Sequence, residues 1–313
     1  MKTVRKISFI LVLILATLTS YAQQDPMYTH YMNNTLIVNP AYAGSRDALT
    51  ITALHRSQWI GFDGAPATQT ITAHSPIFND NTGIGLSVLN DKIGPTNNSS
   101  AFAYYAYRIK LNEKSKLALG LSGGVNIFQA QLTSLDLDQQ SDPSFQSNIN
   151  NNVSPNFGLG AYYSRERFYA GISIPGILQN NYSETSQTNN NTLIAKEQRH
   201  YFFIAGMLLN LSHNLDFKPT TLIKMTPAAP IQVDFTASFI IVQKLLLGAM
   251  IRTGDSFGAL VGFNINEQLH IGYSYDWSYG LKTSKYNQGS HEILLRYDFI
   301  FSSKNQIHSP RNF

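Results

Sequence analysis

The chain has 313 residues, of which 13% are charged and 12% aromatic, and it has no cysteine. Soluble domains carry about 25% charged residues, so a surface this poor in charge argues against an ordinary water-facing globule. The lack of cysteine excludes disulfides, a Cys-based zinc site and a lipoprotein anchor. The formal net charge of +4 is concentrated at the start: of 23 basic residues, Lys2, Arg5 and Lys6 lie in the first six, and the other 20 face 19 acidic ones. No basic stripe remains for nucleic acid. No cofactor and no metal is expected.

In chain order, residues 1–22 read as a Sec-type signal peptide. The basic start is followed by an apolar run from Ile7 to Leu18 and by Ser20-Tyr21-Ala22, with small residues at −3 and −1. The apolar run is shorter than the ~20 residues of a spanning helix. Residues 23–46 are too polar to span and precede the first strand pattern, either plugging a lumen or packing beneath a barrel. Within them, Asn39-Pro40-Ala41-Tyr42-Ala43-Gly44 reads as a turn that sets the entry into the first strand.

From residue 47 to 301, runs of about ten residues alternate apolar with small or polar side chains, separated by turns rich in Asn, Gly, Ser and Asp. Side chains alternate sides along a strand, so each run has one hydrocarbon-seeking face and one polar face. Ile293, Leu295, Tyr297 and Phe299 share one face of the last run, and Glu292, Arg296 and Asp298 share the other. Many such runs predict an all-β fold, a transmembrane antiparallel β-barrel. We read fourteen strands, at 47–58, 66–76, 83–92, 99–111, 116–127, 154–164, 167–174, 200–210, 215–226, 229–241, 244–253, 257–265, 269–278 and 289–301. Pro219 falls inside one run and cannot donate to a ladder, which predicts a bulge or an irregular strand. Connections at 112–115, 165–166, 211–214, 242–243 and 266–268 are short, whereas those at 128–153, 175–199 and 279–288 are long. Short turns face the periplasm and long loops the outside in such barrels. Both termini are therefore expected in the periplasm, with residues 302–313 as a periplasmic tail. The loop segments 139–152 and 179–191 are low in complexity and read as solvated surface.

Inward Gly and Ala are expected to leave room for Arg108, Lys116, Lys218, Lys224, Arg252 and Arg296, with Asp216, Asp234, Asp276, Glu292 and Asp298 as partners. An ion-paired lumen is the expectation for these charges. His270, Ser274 and Asp276 share a face of one strand, but His270 and Ser274 lie roughly 14 Å apart at the strand rise. A nucleophile and its base need contacts of about 3 Å, so the chain is not expected to be an enzyme.

Segments outside the strand pattern carry more. Gln24-Asp25-Pro26-Met27-Tyr28, Tyr31-Met32 and Asn39–Gly44 are followed by Arg56-Ser57-Gln58-Trp59-Ile60-Gly61-Phe62-Asp63-Gly64-Ala65-Pro66-Ala67-Thr68-Gln69. Lys218-Pro219-Thr220, Gly272-Tyr273-Ser274-Tyr275-Asp276, Gly289-Ser290-His291-Glu292-Ile293 and Ser309-Pro310-Arg311 complete the set. The chain resembles the PorP/SprF family of type IX secretion outer-membrane proteins of Bacteroidota across nearly its whole mature length. It departs at the end, where Asn312 separates Pro310-Arg311 from the aromatic Phe313. The resemblance implies a role in secreting and attaching to the cell surface a cargo protein with a C-terminal sorting domain, including adhesins of gliding motility. It also implies contact with the periplasmic ring and translocon of that system, and with outer-membrane lipid. The runner-up function is a passive porin or hydrophobic-solute channel.

Within this frame Asn39, Pro40, Tyr42, Gly44, Gly61 and Gly64 are structural motif residues. Gly61, Gly64 and Pro66 shape the first loop, and Trp59 and Phe62 flank it as interface anchors or as a contact surface. Arg56, Gln58, Trp59, Phe62, Pro66 and Gln69 are the candidate partner-binding residues, with Arg56 and Gln69 expected to brace the loop by hydrogen bonds.

Overall fold

The computed structural model describes residues 26–77, 81–136, 147–184, 192–227, 229–279 and 285–300, with backbone alone for 182–184 and 192–196. The predicted signal peptide, the predicted C-terminal tail and the centres of the two low-complexity loops lie outside the described residues.

Alternation along the chain gives the expected strands. They are β1 (Leu49–Ser57), β2 (Ala67–Ile77), β3 (Thr82–Ile93), β4 (Thr96–Asn112), β5 (Ser115–Ala130), β6 (Ile149–Arg165) and β7 (Phe168–Ile174). After a separate hairpin, β8 (Asn181–Glu184) and β9 (Thr192–Lys196), come β10 (Tyr201–Met207), β11 (Leu209–Ser212), β12 (Leu215–Met225), β13 (Gln232–Ile241), β14 (Leu245–Arg252), β15 (Ser256–Asn264), β16 (Leu269–Ser278) and β17 (Ser290–Phe299). Each main-sheet strand pairs antiparallel with its sequence neighbour, β1 pairs with β17, and β10 pairs with both β7 and β12. The sheet thus closes on itself. β10 and β11 are two parts of one strand, so the barrel has fourteen strands, each matching one predicted run.

The irregularity expected from Pro219 falls on the neighbouring strand. Pro219 stays in register opposite Ala237 of β13. On its other side the ladder lapses between Gly206↔Thr220 and Leu209↔Phe217, which splits β10 from β11. Proline offers no N–H at this point, while on the opposite side the Leu208 N–H continues the pairing with β7 at the Arg167 carbonyl, 2.9 Å away.

The outward face is apolar: Ile71 is 58% exposed, Leu86 63%, Leu121 55% and Ile293 53%, as a lipid-facing surface requires. Inward positions alternate with these in β17, where Glu292, Leu294, Arg296 and Asp298 are buried. Wall height is unequal. β4 and β6 run for 17 residues, well beyond the ~9–11 that span a bilayer, and extend into segments expected to be loop. β7 and β10 have only 7 residues each. Above β7 the chain continues against β6 through Ile177 N–H to Phe157 O at 2.8 Å. The hairpin β8–β9 falls within the segment read as an unstructured loop.

One end of the barrel carries the tight turns 113–114, 166–167 and 213–214; the other carries the connections 58–66, 131–148 and 175–200, with two tight turns of its own at 94–95 and 253–255. We call these the short-turn and long-loop ends.

The main hydrophobic core lies inside the barrel. Tyr31, Leu36, Ala41 and Tyr42 from the N-terminal segment cluster with Tyr104, Ala118, Tyr162, Tyr169, Ile204 and Leu222 of the walls. Residues 26–46, including two 3-10 turns at Thr35–Ile37 and Pro40–Tyr42, are almost entirely buried in the lumen.

Candidate functional site

The luminal segment runs from the long-loop end to the short-turn end and is held at each level by the strand positions it passes. At the top, Tyr28 OH lies 3.0 Å from Thr70 Oγ1. The N–H groups of Thr29 and His30 donate to Glu292 at 2.9 and 2.7 Å, and His30 Nδ1 sits 2.8 Å from the same carboxylate. Thr29 Oγ1 donates to Asp276 at 2.7 Å. Arg56 Nη1 completes the cluster, reaching Asp276 at 2.8 Å, Thr29 Oγ1 at 3.0 Å and Glu292 at 3.1 Å. Beside it, Arg252 forks onto Asp234 at 2.7–3.0 Å and donates to the Tyr28 carbonyl at 3.2 Å. All these charged groups are essentially sealed from solvent, where charges persist only if paired and hydrogen-bonded.

Tyr31 stands at mid-lumen, 3.2 Å from Thr220 Oγ1 and 3.4 Å from Thr236 Oγ1. Asn39 then caps the second 3-10 turn, its Oδ1 accepting from Ala41 N–H at 2.9 Å while its Nδ2 donates to Ala161 O at 3.1 Å. Pro40 and Ala41 lie against Gly120, and Ala43 against Gly83, so closely that a Cβ at either glycine would overlap the segment's backbone. At Gly160 it would meet the Asn39 side chain. Inward glycines were expected to make room for long charged side chains. At these three positions they seat the Asn39–Gly44 motif instead, because a backbone can approach a strand this closely only where no Cβ intervenes. Gly44 itself has φ +71° at the turn into β1, and its carbonyl accepts from Arg108.

At the short-turn end Arg46 pairs with Asp298 in fork geometry at 3.1 and 2.9 Å, and Thr50 donates to the same carboxylate at 2.6 Å. Burial opposes the Arg46 cation, but Asp298 and Tyr42 together, by charge and hydrogen bond, outweigh it and hold the guanidinium above its usual range. Arg296 lies 3.7 Å from Asp298, and Lys218 and Lys224 are also buried on the inner face. Of the six residues assigned to a luminal network, Asp234–Arg252 and Asp276–Glu292 join the upper cluster, with Arg296 in the lower one. Thr29, His30, Tyr28 and Arg46 were not foreseen, because their partners lie up to 263 positions away in sequence. The available signal was a polar, Tyr-rich segment leading into a wall rich in inward acids.

The first loop is a separate feature. Its residue 59, a tryptophan, adopts φ +48°, and Gly61 and Gly64 adopt +88° and +73°. Gln58 N–H donates to Pro66 O at 2.9 Å and closes the loop. Ile60 exchanges two backbone bonds with the last loop, N–H to Gly289 O at 2.9 Å and O from Gln288 N–H at 2.8 Å. Trp59 N–H donates to Ser290 Oγ at 3.3 Å, and Gly64 O accepts from Gly94 N–H at 2.9 Å. The loop is thus strapped to both neighbouring connections. Phe62 is 44% exposed at its tip, Trp59 is half-buried and Pro66 is buried. Gln69 points outward from β2 opposite His55.

Arg56 corrects the sequence reading. It was grouped with the contact loop, but as an even-numbered position of β1 it faces the lumen, and its guanidinium bonds to the luminal segment rather than to loop backbone. His270, Ser274 and Asp276 form no catalytic arrangement: His270 Nδ1 lies 2.7 Å from Asn264 Oδ1, Asp276 binds Arg56 and Thr29, and Ser274 stands opposite Glu292.

A family model described as type IX secretion system membrane protein PorP/SprF matches residues 20–297. The chain belongs to the PorP/SprF family. Among curated proteins none matches in sequence. Of solved structures, the CymD monoaromatic hydrocarbon channel shares 9% identity at TM-score 0.50, covering 85% of this chain and 92% of that one. Omp33 of Acinetobacter baumannii shares 9% identity at TM-score 0.44, over 81% and 100%. A Pseudomonas aeruginosa FadL homologue shares 11% at 0.45, over 81% and 89%. Likeness at such identities concerns the barrel fold alone. This PorP/SprF protein is an outer-membrane β-barrel with a role in type IX secretion.

Proposed function

We propose that the protein holds a specific cargo with a C-terminal sorting domain at the outer membrane during its secretion and surface attachment. The observation that carries this reading is the family match, which extends over residues 20–297. The long-loop end faces outward in this reading, so the strapped first loop, with Trp59 and Phe62, presents the cargo contact. A rigid scaffold carrying exposed aromatics is the usual form of a protein contact site. The short turns face the periplasm in this reading, and so face the periplasmic ring of the system.

Deleting the gene tests the reading. The expected result is that one large surface protein is left unexported or is shed, while the general secretome persists. Unchanged display of every sorting-domain protein would overturn it. A passive channel is the rival. The lumen filled by residues 26–46, ion-paired at both levels, speaks against it, because a channel needs a continuous path.

A further inference from the structure

Among the described residues, the luminal segment leaves one side of the long-loop end open. Between it and the walls lies a cavity of about 470 Å³, within the ~300–1,000 Å³ range of small-molecule sites. Ile37 and Val38 bound it on the inside, and the ends of β7 and β10, the low part of the wall, bound it laterally through Pro175, Gly176 and His200. We propose that this cavity is a binding cup for a short neutral saccharide, a role independent of cargo secretion.

The lining chemistry decides among ligand classes. Asp91 and Glu197 line the cup, and among the described residues no Lys or Arg does, which disfavours anions, acidic sugars and a peptide carboxy terminus included. A hydrocarbon offers nothing to Asn98, whose buried Oδ1 has no hydrogen-bond partner among the described residues, and a buried polar group left without a partner is penalised. An extended peptide docks by main-chain bonds to a free strand edge, yet every strand that lines the cup, β2 to β5 and β10, is paired on both sides. Recognition therefore falls to side chains. Amides, hydroxyls and carboxylates can take up sugar hydroxyls, while the rings of Phe102, Tyr104 and Phe202 offer flat apolar faces to the C–H side of a pyranose.

The polar groups are also fixed in advance. Glu197 accepts from Asn126 at 3.1 Å, Asn156 at 2.9 Å and Asn180 at 2.8 Å, and Tyr104 OH lies 2.8 Å from Ser87 Oγ. A pre-set polar rim loses little entropy when a ligand is ordered on it.

The test uses the full-length protein purified in a detergent without a sugar head group, which would otherwise compete. A set of neutral oligosaccharides is titrated free in solution and also displayed on a solid surface. Saturable binding of a free oligosaccharide supports a soluble ligand, and binding of displayed glycans alone supports a surface-bound one. Ser100→Phe, which projects a ring into the cup, should weaken that binding about tenfold or more. Asn98→Ala, a smaller change, should also weaken it, and heat-modifiable gel mobility reports whether each variant barrel has assembled. Absence of binding to every neutral saccharide, binding confined to acidic ones, or binding unchanged in an assembled Ser100→Phe barrel would overturn the proposal. None of these readouts depends on whether cargo secretion requires the protein.

Discussion

Gly83 and Gly120 are inner-face positions whose consequence is set by what they touch, since a Cβ there overlaps the backbone of Ala43 and Ala41. Gly83→Ala or Gly120→Ala should destabilise the assembled barrel by about 1–3 kcal/mol, the cost of overpacking a tight interior. Unfolding in urea, followed by loss of heat-modifiable mobility, measures this. Gly123→Ala is the control, because its Cβ would meet only the Phe157 ring at 3.4 Å. Charge follows the same logic of surroundings. Glu292→Ala removes the acceptor for Arg56, His30 and two backbone N–H groups in a dry site, so the expected loss is about 3–5 kcal/mol. Lys114 and Glu166, 3.8 Å apart and about 60% exposed, should lose under ~1 kcal/mol when either is truncated.

The first loop is the element that ties local conformation to function. A tryptophan in the left-handed region costs of order 1–3 kcal/mol and persists only where its surroundings impose it. Here the imposing contacts are the Ile60 exchange with the last loop and the Gly64–Gly94 bond. If Trp59 is a contact anchor, Trp59→Ala should weaken cargo capture by about 2 kcal/mol, near thirtyfold in Kd, at normal barrel levels. Reduced assembly, or undiminished co-purification, would return the loop to a scaffold role. Phe62→Ala should follow the same direction without a backbone effect, since only Trp59 carries the strained φ.

For the whole molecule, orientation and conductance each have a direct readout. With the long loops outside, a cysteine at Asn150 should label in intact cells and one at His213, in an exposed short turn, should not. The reverse pattern would invert the topology. The filled lumen predicts no steady conductance from the intact protein in a planar bilayer. A variant lacking residues 26–45 should conduct if it assembles, because that segment carries Tyr31, Leu36 and Tyr42 into the core inside the barrel.

Residue alternation by itself determined the strand count, the pairing of neighbours and the lipid face, because side-chain period in a strand is a local property. It also placed Asp234, Arg252, Asp276, Glu292 and Arg296 on the inner face, and the spacing of short and long connections showed which strand ends meet. Partner choice could not be read the same way. Arg56 belonged to a motif contiguous with the first loop, yet one residue of register sends it inward, onto Thr29 and Glu292. Residues 26–46 carry neither alternation nor helical period, so the sequence left two places for them, plugging the lumen or packing beneath the barrel. Tertiary structure decided between the two, through glycines on β3, β5 and β6 that admit a backbone and through acids on β16 and β17 that bind its N–H and hydroxyl groups. The contacts to these acids join positions more than 200 residues apart, and only closure of the barrel brings such positions together.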